Sequence, residues 1–317
     1  PALEAARSAW RTAMASWQRA EVMQLGPAGP ESRFTAGEGR RDGVYSWPSV
    51  STCRVDQNVA SRGWEAEGFF GSDQINAFGL DALEYLLFNE DEGNTCAPQL
   101  SLNAEGTWVS IADELDQRRA DYGAAVAADL VDQTDELILS WTGNFSADLA
   151  SAGEDASSFL DYSQAMDELF KSLFYLEITL KDRKLATPLG LRDCSADVCP
   201  WAFESPYADA ALDNARANLE GGLALYRGGY DDEGVGMDDL LVETDYPEVD
   251  EAIEAAFAQA FVIFDSVDGK PSELIDTDLE ALTEIYSGVK GVTDLLKGDM
   301  ATSILLEIPQ EAANDND

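Results

Sequence analysis

Ser72-Asp73-Gln74-Ile75-Asn76-Ala77-Phe78-Gly79-Leu80-Asp81-Ala82-Leu83-Glu84-Tyr85-Leu86-Leu87-Phe88 carries its apolar side chains at Ile75, Phe78, Leu83, Leu86 and Leu87. Steps of three and four recur among them, which gathers them on one side of a helix. The spacing predicts a mostly buried helix over 72–88, opened by a Ser72 or Asp73 cap. Two carboxylates interrupt the stripe. Asp81 and Glu84 stand three residues apart, so they share one helix face near the core. Such a pair holds a hard cation, pairs with arginine or lysine, or shares a proton; in an acidic chain it is also compatible with a plain solvated face.

The same periodicity extends in both directions. Residues 2–25 place Leu3, Trp10, Ala13, Met14, Trp17, Val22 and Leu25 among charged residues, and Gly26-Pro27 ends the run. A glycine-rich irregular stretch over 28–50 contains Tyr45-Ser46-Trp47-Pro48. Downstream, helices are expected over 109–150, 157–186, 206–228, 247–266 and 272–298, with Ser151-Ala152-Gly153-Glu154-Asp155 as the linker. Strand signals are confined to Thr107-Trp108-Val109 and Leu241-Val242. The expected fold is all-α: two up-down four-helix bundles, residues 1–150 and 151–317, joined by irregular loops.

Composition narrows the chemistry. Of 317 residues, 61 are acidic and 20 basic, for a formal net charge of −41. Nucleic acid is thereby excluded as a partner, since phosphate binding needs a basic footprint, and anionic lipid surfaces are disfavoured. The charge serves solubility or collects cations. The chain contains no histidine. Ser/His/Asp and Cys/His nucleophilic sites and HExxH zinc sites therefore fall away. Neither a GxxxxGK[ST] phosphate loop nor a GxGxxG following a strand occurs, and the acidic glycine loops at 90–93 and 265–269 lack calcium-loop spacing.

The four cysteines allow three pairings. Cys53–Cys96 and Cys194–Cys199 are expected, because each bridge then stays within one half of the chain. Bridged cysteines imply an oxidising compartment, a periplasm or cell exterior. No apolar run is long enough to span a membrane. Membrane association is expected only through a lipid anchor preceding Pro1.

A second concentration of polar chemistry is Lys181-Asp182-Arg183-Lys184, ahead of Thr187-Pro188-Leu189-Gly190-Leu191. Its cations either complement a helix C-terminus or reach a carboxylate of the first domain or an anionic ligand.

The helix Gly79-Leu80-Asp81-Ala82-Leu83-Glu84, with its apolar continuation, resembles the GxHxxE signature of the imelysin-like proteins. Three stretches add to the resemblance in order: Trp10 to Pro27, Tyr45-Ser46-Trp47-Pro48, and Asp182-Arg183-Lys184-Leu185-Ala186-Thr187-Pro188-Leu189-Gly190. The resemblance implies an exported periplasmic or surface lipoprotein, with two helical bundles related by an internal repeat and a pocket between them. It further implies a connection to bacterial iron uptake, in a family grouped with metallopeptidases. Gly79 and Glu84 match the motif, while Asp81 stands in the histidine position. A carboxylate there still suits ferric iron, calcium or magnesium but not the borderline metals that imidazole prefers.

The expected function is thus a non-catalytic binding protein for iron or haem uptake. Its pocket is expected to be lined by Asp81, Glu84, Gly79, Trp47, Arg183 and Lys184. Asp81 and Glu84 are expected to hold iron or another hard cation, or Asp81 to pair with Arg183 or Lys184. The partner would be an envelope protein, a small ligand or a metal. The alternatives are an envelope interaction module with a vestigial pocket, and a carboxylate-dependent hydrolase in which Arg183 stabilises the developing charge.

Overall fold

A computed structural model of the chain describes residues 1–230 and 234–313. The protein is 68% helical, and no strand forms among the described residues. The two weak strand signals are absorbed into short helices, Thr107–Ser110 and Met237–Glu243. Contacts divide the chain into two units. The first comprises Pro1–Met14 and Glu38–Asn144, the second Ala15–Gly37 and Phe145–Asp317. The polar run 151–155 lies inside the second unit, and the break falls at 144–145.

In the first unit, helix α1 (Ala2–Glu21) begins with polar turns and presents Trp10 and Met14 inward. The Trp10 indole donates to the Leu80 carbonyl at 2.8 Å, so this large ring is buried without an orphaned N–H. Helix α2 (Thr52–Ser61) is capped by the Ser51 hydroxyl, which accepts from the Arg54 amide. Helix α3 (Gly79–Phe88) packs against the long helix α4 (Leu115–Ser140), as does α2.

Helix α3 is shorter than the periodicity predicts. Residues 75–77 form a single tight turn, and Phe78 is extended (φ −139°, ψ −168°). The expected Ser72 or Asp73 cap is therefore not the start of this helix. Gly79 opens it instead, with φ +84°. A Cβ on Gly79 would lie 2.7 Å from the Val44 carbonyl oxygen, so the position demands glycine for both its dihedral and its space.

The second unit is built around helices α5 (Tyr162–Leu173), α6 (Leu176–Ala186), α7 (Ala211–Tyr226), α8 (Met237–Glu243), α9 (Pro247–Ser266) and α10 (Leu279–Leu295). Helix α9 packs on α10, and α6 is embraced by α7 and α10. The core joins Val22, just past the end of α1, to Phe170, Leu176, Leu180, Leu219, Phe257, Ile285 and Val289. Each such side chain contributes roughly 1.5–3 kcal/mol by leaving water. The predicted 157–186 helix begins at Tyr162, is interrupted at 174 and resumes as α6, a widened π-helix. Such widening is rare and is often found at functional sites.

The cysteines pair Cys53–Cys96 and Cys194–Cys199. The first ties the loop after α3 to α2; the second closes a short loop before Pro200. No helix among the described residues is long and apolar enough to cross a membrane.

Candidate functional site

The GLDALE motif lies at the start of α3, and the left-handed opening at Gly79 decides what surrounds it. The turn Arg41–Val44 and the following Tyr45-Ser46-Trp47 fold against this helix end, with Tyr45, Ser46 and Trp47 all buried. Close passage of the Val44 carbonyl over Gly79 brings Ser46 to Asp81, where its hydroxyl donates to Asp81 Oδ2. Asp81 Oδ1 accepts from the Ala82 amide at 3.0 Å. Arg41 donates to the Trp47 carbonyl at 2.7 Å, with its guanidinium carbon 5.7 Å from the centre of the Tyr45 ring.

Asp81 and Glu84 are each 4% exposed, which settles the solvated-face reading against them. Burial pushes the Asp81 carboxyl up to about 6. The Ser46 hydrogen bond, the backbone amides and the Arg41 charge pull the other way without overcoming it. Asp81 also lies in the first turn of α3, where the helix dipole favours its anion.

Both oxygens of Asp81 already accept hydrogen bonds. Among the described residues no three His, Cys, Asp or Glu side chains assemble as a cation-holding group. What the motif builds is a protonatable carboxyl that pins the 41–48 segment to α3.

The second candidate cluster lies on α6. Arg183 is exposed, while Lys181 and Lys184 are 0% and 1% exposed. Arg183 and Lys184 are successive residues and point to different sides of α6, so one cation faces water while its neighbour faces the core. Lys184 Nζ donates to Gln18 Oε1 at 2.6 Å and to Asn218 Oδ1 at 2.8 Å. It is ion-paired to Glu204 at 2.8 Å and Glu21 at 3.4 Å. The Gln18 amide in turn donates to Glu204 at 3.0 Å. One turn away, Lys181 pairs with Glu177 at 3.2 Å and Asp182 at 3.3 Å, and Lys297 reaches Glu177 at 2.9 Å. Of the two alternatives for these cations, Lys184 takes the carboxylate: it reaches Glu21, which contacts group with the second unit, and Glu204, in a buried ionic network.

A profile of the imelysin family, classed among the peptidases, matches residues 1–296. The chain belongs to the imelysin family. It is 26% identical over 272 residues to the iron-regulated protein A of Synechococcus elongatus, an alignment covering 81% of this chain and 62% of that relative. The chain thus spans less than two thirds of that protein's length. Among solved structures it resembles an imelysin-like protein from Psychrobacter arcticum, with a TM-score of 0.59 at 14% identity. That likeness covers 97% of this chain and 83% of the other.

Within this imelysin chain, Gly79, Asp81, Glu84 and Trp47 belong to the first unit, and Arg183 and Lys184 to the second. Sequence reasoning missed Ser46 and Arg41 as partners of Asp81. It also missed Gln18, Glu21, Glu204 and Asn218 as the cage of Lys184. A signal for two of these was present: Gln18 and Glu21 fall at helical spacing between Met14, Trp17, Val22 and Leu25, where polar side chains are out of place unless paired.

Proposed function

We propose that this chain is an exported imelysin-family binding protein that serves iron acquisition without peptidase chemistry. The observation that carries this reading is Asp81 in the histidine position of the motif, hydrogen-bonded by Ser46 and Ala82. A hydrolytic metal needs nitrogen or oxygen ligands that leave one coordination position open to water. A carboxyl engaged by its own helix and a neighbouring serine serves to hold a binding surface in shape. The two disulfides support export, because such bridges persist in oxidising compartments. The iron connection is carried over from the name of the Synechococcus elongatus relative.

The test combines physiology with biochemistry. A strain lacking the gene is grown with iron chelated and with iron replete, then complemented with wild-type or Asp81→Asn protein. Purified protein is incubated in parallel with casein and zinc. The expected result is a growth defect confined to low iron, with no casein cleavage above a chelated control. A defect indifferent to iron removes the iron link. Cleavage that is lost in Glu84→Gln makes the protein an enzyme.

A further inference from the structure

Away from both polar clusters, the second unit contains a cleft of about 510 Å³. We infer that it is a binding site for a small molecule with an apolar body and a positively charged head. Its size falls within the range of pockets that enclose small ligands. Met23, Met166 and Met237 line it, three of the five methionines in the chain, together with Leu240. Unbranched thioether side chains give a floor that is apolar, polarisable and able to adjust to a ligand's outline.

The rim is a built feature. A Cβ on Gly228, which has φ +71°, would lie 2.3 Å from the Val235 carbonyl oxygen. One on Gly236 would lie 2.3 Å from the Tyr226 carbonyl oxygen. Two backbone stretches therefore cross at a separation only glycine allows, and the crossing fixes the edge of the cleft.

The charge of the lining selects among apolar ligands. Its charged groups among the described residues are Asp239 and Glu243, four apart on α8 and so one turn above the other on one face. Asp239 Oδ2 accepts from the Gly236 amide at 3.1 Å, which holds it at the rim, while Glu243 is exposed. Among the described residues no lysine or arginine lines the cleft. An anionic amphiphile meets two like charges there, and a cationic one meets two partners.

The full chain is titrated calorimetrically with decyltrimethylammonium, decanoate and tetramethylammonium, all below micelle formation. The decyl cation is expected to bind with one-to-one stoichiometry, decanoate at least tenfold more weakly, and tetramethylammonium without saturation. Leu240→Trp, which fills the cleft, should weaken the decyl cation at least tenfold. Glu243→Gln and Asp239→Asn, which leave the apolar floor intact, should each weaken it about two- to fivefold, the range of an exposed ion pair. Circular dichroism and melting confirm the fold of each variant, and the two rim variants carry the test if Leu240→Trp misfolds. The inference is overturned if none of the probes binds, if decanoate binds as tightly as the decyl cation, or if a folded Leu240→Trp or both rim variants bind like wild type.

Discussion

Gly79 and Gly123 offer the same substitution with opposite expected outcomes. Alanine at Gly79 has to adopt φ +84°, which costs about 1–2 kcal/mol for a residue with a Cβ. Its methyl group would also stand 2.7 Å from the Val44 oxygen and 3.2 Å from the Val44 carbonyl carbon. Both are backbone atoms of the segment that carries Ser46, so no side-chain rotation relieves the overlap. Forcing an extra methyl into such a contact costs about 1–3 kcal/mol more, giving a total of about 2–5 kcal/mol. Gly123 lies inside α4, and a Cβ there meets only Leu83 Cδ2, at 4.0 Å. Alanine fits that space and gains up to about 1 kcal/mol of helix propensity. Urea denaturation at 25 °C, followed by circular dichroism, measures both. If Gly79→Ala is within about 0.5 kcal/mol of wild type, the helix start does not depend on this glycine; if Gly123→Ala is destabilising, the space beside Leu83 does not accept a methyl group.

Three further outcomes follow from the polar core and the bridges. Asp81 has a folded-state value near 6 against an ordinary 3.8, so its protonated form is favoured by folding. Its stabilising contribution is complete below about pH 4 and is lost as pH rises through 6, a change of about 3 kcal/mol at 1.36 kcal/mol per unit. Asp81→Asn should remove that slope, and denaturation at pH 4.5 and 7 checks it. Lys184→Ala leaves Glu21 and Glu204 buried without their ammonium and should cost about 3–5 kcal/mol, whereas Arg183→Ala, at an exposed neighbour, should change stability by less than about 0.5 kcal/mol in the same assay. Removing Cys53–Cys96, which spans 43 residues, should lower stability by about 4 kcal/mol, and removing Cys194–Cys199, which spans 5, by about 2 kcal/mol, read from the two double-serine variants.

Helix α9 was fully legible in the sequence. Pro247 pre-sets the first turn, and the apolar spacing from Ile253 to Phe264 carries the helix to Ser266 as predicted. Helix α3 was half legible. Periodicity identified its buried face, but periodicity does not encode dihedrals, and the start moved seven residues to the position where Gly79 turns left-handed. The bridges were legible because four cysteines leave only three pairings. The surroundings of Asp81 were less so, because Ser46 lies 35 residues away and meets it only through the backbone path of the 41–48 segment. The Lys184 cage was hidden for the same reason: its members are drawn from three separate stretches of chain, and only their burial shows that they belong together.

Helix α1 begins in one unit and ends in the other, and this has a practical meaning for genetic dissection. The chain changes unit at 14–15, 37–38 and 144–145, so neither unit is a contiguous reading frame. A clone of 151–317 would lack Val22 of its own core and would strand Lys184 without Gln18 and Glu21. A circularly rearranged gene that keeps 15–37 with the later residues is the fragment worth expressing.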